Sequence, residues 1–262
     1  MKISEYHRPQ TLEEALALLG RTEPRVIPLG GGTFLNSPAY PAAHSPSSDI
    51  SVVDLQALGL NTFERNGTFI GIGATATLQA CLDTPGLPEA FYHAVRNETT
   101  FNLRQVATVA GTLVAADGRS PFATVMLALD ARVTVLPDDE VINLGDLLPL
   151  RFERLRHRLI TKISIPASIQ LAYEYVARTP ADQPIVCAAV ARWRSGRTRV
   201  SLGGYGTEPV LAMDGPEPGG VDVAARAAYS QAGDEWASAE YRAEMAVVLT
   251  NRCQAKLAPT GG

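Results

Sequence analysis

The sequence predicts an α+β fold in two domains. Residues 1–165 read as one domain of two subdomains, about 1–57 and 58–165, and residues 166–262 as an antiparallel sheet with helices. Three observations predict this. The chain opens strand, helix, strand, and the second strand runs into a triple glycine. Gly and Pro then cut the middle into short strands and helices. From Gln170 on, strand-like alternation takes over in LAYEYVAR, IVCAAVARW and TRVSLGGYG.

Taken in order, Ile3–Tyr6 reads as a strand before Pro9. Thr11 to Glu14 is a capping box that opens a helix with Leu12, Ala15, Leu16 and Leu19 on one face, closed by Gly20. Arg25–Leu29 reads as the strand that delivers Gly30-Gly31-Gly32-Thr33. Asn36–Ser48, rich in Pro, Ser and Ala, reads as an exposed loop, and Ile50–Leu55 as a strand closing the first subdomain.

Thr68–Gly73 is a strand and Ala74–Leu82 a short helix capped near Thr75 or Thr77. Glu89–Arg96 is a helix with Phe91, Ala94 and Val95 inward. Val106, Thr108 and Val109 read as a β-like segment, followed by a small-residue turn at Ala110-Gly111-Thr112, and Ser120 opens a helix. Ala131–Leu136 and Val141–Leu144 form a hairpin around Pro137. Arg151, Arg154, Arg156 and Arg158 read as a solvated basic edge or a subunit contact. Met213–Asp222 reads as a loop, and Ala237–Leu249 as an amphipathic helix burying Met245, Val248 and Leu249. Tyr173, Tyr175, Trp193 and Tyr205 read as core aromatics, the alternative being approach to a cofactor edge.

Two stretches carry candidate chemistry. Gly30-Gly31-Gly32-Thr33 and Ala110-Gly111-Thr112 leave the backbone bare, so their N–H groups are open to an anion; side by side, they suit a diphosphate. The alternative for each alone is a tight turn without a ligand. Gly71 to Ala76 matches a loose GxGxxA pattern. Pro85, Gly86 and Pro88 interrupt before a parallel strand with a ribose-binding carboxylate, so a dinucleotide fingerprint is not predicted.

Bulk properties narrow the classes. The 262 residues are 46% hydrophobic and 19% charged, with a formal net charge of −4, which argues against nucleic acid or an anionic membrane as main partner. Cys81, Cys187 and Cys253 stand alone, with no metal knuckle or disulfide framework. The start MKISEYHRPQ lacks a signal-peptide core and no run approaches a membrane span, so a cytoplasmic location is expected.

The order and spacing of these segments resemble the FAD-binding medium subunit of the molybdenum hydroxylases, the group that includes aerobic carbon monoxide dehydrogenase and the xanthine dehydrogenases. The resemblance runs from YHRPQTLEEALALLG through IGIGATATL, LRQVATVAGTL and LALDARVTV to ASAEYRAEMAVVLTNRC. It implies the two-subdomain FAD-binding fold shared with vanillyl-alcohol oxidase-like flavoproteins. It places FAD on Gly30, Gly31, Gly32, Thr33 and Phe34 of the first loop and on Thr108, Val109, Ala110, Gly111 and Thr112 of the second, with Thr77 and Asp117 alongside. It also implies a molybdenum-cofactor large subunit, a two-iron iron–sulfur small subunit, and an external acceptor such as a quinone or NAD.

Four positions depart from the family pattern. Ala110 replaces a frequent glycine, Thr112 an asparagine, Phe34 a small or polar residue, and Pro121 an aspartate for which Asp117 is the nearby substitute. At Thr77 the alternative role is a helix cap, and Arg104 either serves a phosphate or braces the second loop. The contrasting functional reading is a scaffold subunit with weakened or lost FAD binding. A third is a stand-alone flavin reductase or oxidase.

Overall fold

The computed structural model describes residues 2–37 and 49–258. Three sheets organise it. In the first, β1 (Lys2–His7) and β2 (Arg25–Leu29) both run parallel to the central β3 (Asp49–Asp54). Helix α1 (Leu12–Leu19) links β1 to β2. Thr11 caps it by accepting from Glu14 N at 3.2 Å, and the Glu14 carboxylate reaches back one residue further, to Gln10 N. Ala15 and Leu19 seal this unit against Val53 and Leu55. Most of the predicted Asn36–Ser48 loop, residues 38–48, lies outside the described residues.

The second sheet holds five antiparallel strands in the order β4-β5-β8-β6-β7: β4 (Phe63–Asn66), β5 (Phe69–Gly73), β6 (Arg132–Leu136), β7 (Glu140–Asn143) and β8 (Leu159–Pro166). Both neighbours of β5 are antiparallel to it, so the strand after Gly71-Ile-Gly is not the opening strand of a parallel dinucleotide unit. Against the sheet lie α2 (Leu78–Asp83), α3 (Glu89–Glu98), α4 (Phe101–Arg104), α5 (Val109–Ala115) and α6 (Pro121–Ala128). Every residue of α6 is buried, which accounts for its apolar reading on all faces.

The third sheet, ordered β12-β11-β10-β9, is antiparallel throughout: β9 (Gln170–Val176), β10 (Val186–Arg192), β11 (Thr198–Gly203) and β12 (Val210–Gly215). One face of β10 packs against the helices over the second sheet, through Cys187, Ala189 and Ala191. Ala188 and Val190 pack toward α9 (Val221–Ala228) and α10 (Ala239–Leu257). Between β7 and β8 lie α7 (Leu144–Leu147) and α8 (Arg151–Arg154). The fold is thus mixed helix and sheet, with one parallel and two antiparallel sheets.

Several local expectations change. Residues 101–104 and 109–115 are helices, and between them only Thr108 keeps a β contact, its single bridge to Thr77. Thr108 takes the extended cap conformation, with φ −93° and ψ 153°, and its hydroxyl accepts from Gly111 N, so Ala110-Gly111-Thr112 forms the first turn of α5. Residues 213–215 belong to β12 rather than to a loop. Helix α10 runs to Leu257 and buries Ala246, Leu249 and Cys253, whereas Val248 is exposed.

The basic edge is also revised. Arg151 is buried and donates to the carbonyls of Val114, Leu148, Ala116 and Thr207, with Glu208 3.5 Å away. Arg154 and Arg158 pair with Glu140. Of the four aromatics, Tyr173 is core, Tyr175 and Trp193 pack against the same core, and Tyr205 packs against the C-terminal one.

Candidate functional site

The two predicted loops meet. A methyl group added at Gly31 would lie 1.7 Å from the Val106 carbonyl oxygen, and one at Gly30 would lie 2.5 Å from the Thr108 hydroxyl oxygen. Only residues without a side chain allow this approach. Gly32 has φ +70°, a conformation glycine adopts without strain. The triple glycine therefore serves two purposes, close contact at Gly30 and Gly31 and a left-handed turn at Gly32.

A third segment closes the junction. Thr77 and Thr108 form a single antiparallel bridge, Leu78 N donates to Ala107 O at 2.9 Å, and Val109 N donates to Ala76 O at 2.8 Å. Segments 30–33, 74–78 and 106–112 thus converge, with Gly30, Gly31, Thr77, Thr108 and Val109 among the predicted site residues brought together. Thr77 is also the cap of α2, accepting from Ala80 N at 3.1 Å.

The donor inventory separates the loops. The N–H groups of Gly30, Gly31, Gly32 and Thr33 donate to no group among the described residues, and all four residues are only partly buried. In the second loop the N–H groups of Val109 to Thr112 are engaged. Val109 N and Ala110 N bond to Ala76 O and Ala74 O, Gly111 N to the Thr108 hydroxyl, and Thr112 N to Thr108 O. The expected pair of bare loops is one bare loop backed by a satisfied one.

Three of the departures acquire a place. Ala110 lies in the first turn of α5 and has no positive φ, so the strain of about 1 kcal/mol that alanine would carry there does not arise. Phe34 packs with Leu35, Ile50 and Val52, anchoring the first loop to its own sheet. Pro121 is the first residue of α6, behind the Ser120 cap, where its missing N–H costs nothing. Asp117 is exposed, its carboxylate accepts from Arg119 N at 2.8 Å, and it lies beyond the far end of α5, about 10 Å along the helix from Thr108.

Arg104 braces. Its guanidinium donates to Arg96 O at 3.1 Å and Thr99 O at 2.7 Å, fixing the start of the segment that backs Gly31. Arg151 binds the carbonyls at the C-terminal end of α5, and Arg199 binds Leu127 O at the end of α6. Positive charge at these helix ends complements the helix dipoles. The sequence reading missed both, and also Arg242, wholly buried on Asp234, Ile185 O and Ala232 O. It missed Glu98 as well, whose carboxylate accepts from the Ser120 hydroxyl at 2.8 Å and Phe122 N at 2.9 Å. Each of the four has at least one partner distant in sequence, so no local motif announces them.

A cavity of about 360 Å³ near Asp130, Asp146, Arg199, Val210 and Leu211 contains none of the predicted site residues. Among the described residues no cluster of three or more His, Cys, Asp or Glu is placed to hold a metal ion, and no helix is long and apolar enough to cross a membrane.

The site suits an anionic ligand. Four unengaged backbone donors lie on consecutive residues, and Gly30 and Gly31 themselves add no side chain to the loop, which Thr108 and Val106 back closely. Backbone amides neutralise phosphate charge without the bulk or mobility of a lysine.

Comparisons with known proteins agree with this chemistry. Residues 1–168 match the family described as the FAD binding domain in molybdopterin dehydrogenase. The carbon monoxide dehydrogenase medium chain of Afipia carboxidovorans is 25% identical, with 95% of this chain and 94% of that one covered. Protein YgfM of Escherichia coli K12 is 28% identical over 81% of this chain and 78% of its own. Among solved structures, the Cu,Mo-CO dehydrogenase chain superposes with a TM-score of 0.78 at 24% identity, covering 97% of this chain and 98% of that chain. Quinoline 2-oxidoreductase from Pseudomonas putida 86 gives 0.78 at 19% identity, with 98% of each chain covered. Since the family match spans well over half of the sequence, the chain belongs to the FAD-binding family of molybdopterin dehydrogenases: a flavoprotein medium subunit of a molybdenum hydroxylase type of oxidoreductase, with FAD as its cofactor.

Proposed function

We propose that this chain is the electron-transfer subunit of such an enzyme, holding FAD with its diphosphate on Gly30, Gly31, Gly32 and Thr33. The observation that carries this reading is the row of unengaged amides at that loop, beside a helix turn, Val109 to Thr112, whose own amides are engaged. Bound FAD supplies redox chemistry that takes up electrons singly and gives them up in pairs. The protein positions it. The first loop neutralises the diphosphate, and Thr77, Thr108, Val109, Ala110, Gly111 and Thr112 shape the wall behind it. Phe34 fixes the loop to its sheet, and Asp117 belongs to the periphery on this reading.

In the same reading, subdomains of about 1–57 and 58–165 hold the cofactor between them, in the manner of vanillyl-alcohol oxidase-like flavoproteins, and 166–262 forms the C-terminal domain. Electrons arrive from a two-iron iron–sulfur small subunit fed by a molybdenum-cofactor large subunit, and leave to a quinone or NAD, in the cytoplasm. What supports the partners is the kind of relative the chain resembles, carbon monoxide and glyceraldehyde dehydrogenase medium chains.

The test is the visible absorption spectrum of the purified chain, followed by identification of the chromophore released on denaturation. Flavin bands with FAD released support the reading. A colourless chain that takes up no added FAD contradicts it and favours a scaffold subunit.

A further inference from the structure

The placement of α5 against the glycine loop depends on both of its ends, and one side chain lies between them. Upstream, α3 ends at Glu98, and the carbonyls of Arg96 and Thr99 hold the Arg104 guanidinium. From Arg104 the chain runs directly into Val106 and Thr108, which touch Gly31 and Gly30. Downstream, α5 is followed by residues 116–120. Gly118 is pinned there by its N–H to Gly206 O at 3.0 Å and by Gly204 N to its own carbonyl at 2.6 Å.

The Glu98 side chain bridges the two. One carboxylate oxygen accepts from both the Ser120 hydroxyl and Phe122 N, while the Ser120 oxygen accepts from Ala123 N at 3.0 Å. The same carboxylate is thus tied to the element that orients Arg104 and to the residue that starts α6. Beside it, the Asn97 amide, the Tyr173 hydroxyl and the Cys187 thiol lie close to one another, so the junction is polar as well as buried.

We propose that Glu98 is a positioning residue for the cofactor, setting the placement of α5 against the glycine loop and so linking FAD binding to pH. The proposal rests on the reading that FAD occupies this loop.

The electrostatics support the link. Crowding by protein pushes the Glu98 carboxyl up to about 7, against the bonds from Phe122 N and Ser120, with the Asp117 charge adding to the rise. The titratable groups facing it are Asp117 on the 116–120 segment, Tyr173 on β9 and Cys187 on β10. Burial raises both Tyr173 and Cys187, which keeps them neutral near pH 7. A neutral Glu98 avoids burying a charge in the closed junction. An ionised one gains by moving toward water, which loosens the Ser120 end and with it α5. FAD binding holds the junction closed, so it favours the protonated form, and affinity falls as pH rises.

The experiment is a titration of the apo chain with FAD, followed by flavin fluorescence, from about pH 6 to about pH 8. Wild type is expected to bind about threefold or more weakly at the upper end, while E98Q keeps the low-pH affinity throughout. S120A, which removes one bond to the charged form, is expected to move the midpoint of the fall to higher pH and carries the test should E98Q fail to fold. A pH-independent affinity in wild type, the same fall in E98Q, or an unmoved midpoint in S120A overturns the proposal and leaves the FAD reading intact. No FAD uptake at any pH overturns both.

Discussion

The two small-residue loops resemble each other in sequence and differ in what their backbones do. Gly30 to Thr33 offers four N–H groups that bond to nothing among the described residues. Val109 to Thr112 spends all of its own on Ala76, Ala74 and Thr108. The glycines of the first loop are imposed by contact, the Val106 carbonyl and the Thr108 hydroxyl leaving no room for a Cβ. Small residues in a row therefore do not identify a binding loop. The accounting of their hydrogen bonds does: the first loop is equipped to donate, and the second is equipped to support it.

The largest test of that division strikes the support from behind. R151M leaves the carbonyls of Val114, Ala116 and Thr207 unpaired and Glu208 without its cation, and is expected to cost about 3–5 kcal/mol in urea denaturation. Undiminished stability would return Arg151 to the solvated edge predicted from sequence.

Next comes the contact itself. G31A drives a methyl into the Val106 carbonyl, and the loops must separate. A loss on the order of 3 kcal/mol and of FAD uptake is expected, measured by denaturation and flavin fluorescence. Retention of both would mean that the loops need not touch.

E98Q probes the support electrostatically. The folded value of Glu98 is raised above its unfolded one, so its contribution is fully present below about pH 4.5 and is lost as pH rises through about 7. Apo wild type should lose on the order of 2 kcal/mol across that window relative to E98Q, seen as denaturation midpoints that separate with rising pH. Parallel midpoints would show Glu98 to be an ordinary surface carboxylate.

The smallest effect sharpens the comparison most finely. Ala110 lies in a helix, so A110G should lower stability by about 0.5–1 kcal/mol with little change in FAD affinity. A tighter-binding, more stable A110G would restore the picture of a second bare turn.

Much of the fold was legible because its signals are local. The Thr11 and Ser120 caps, the inward set Phe91, Ala94 and Val95, and the hairpin at Pro137 each lie within a few residues of what they specify. Residues 101–115 mislead because Val106, Thr108 and Val109 are β-branched. A threonine at a helix cap and a threonine in a strand share the same extended backbone, and only the conformation of residues 109–112 distinguishes them. The approach of the loops was legible only as an expectation from family resemblance, since Gly31 and Val106 lie far apart in sequence. Arg151 was illegible: a run of arginines reads as solvated, and its carbonyl partners at Val114, Ala116 and Thr207 exist only in the folded chain.

The most direct measurement is amide hydrogen exchange, residue by residue, in the apo chain and after saturation with FAD. The account predicts fast exchange at Gly30, Gly31, Gly32 and Thr33 without FAD and strong protection with it. Val109 and Ala110 are expected to be protected in both states. Protection gained at Val109–Thr112 while Gly30–Thr33 stays fast would contradict the account, assigning the donors to the wrong loop.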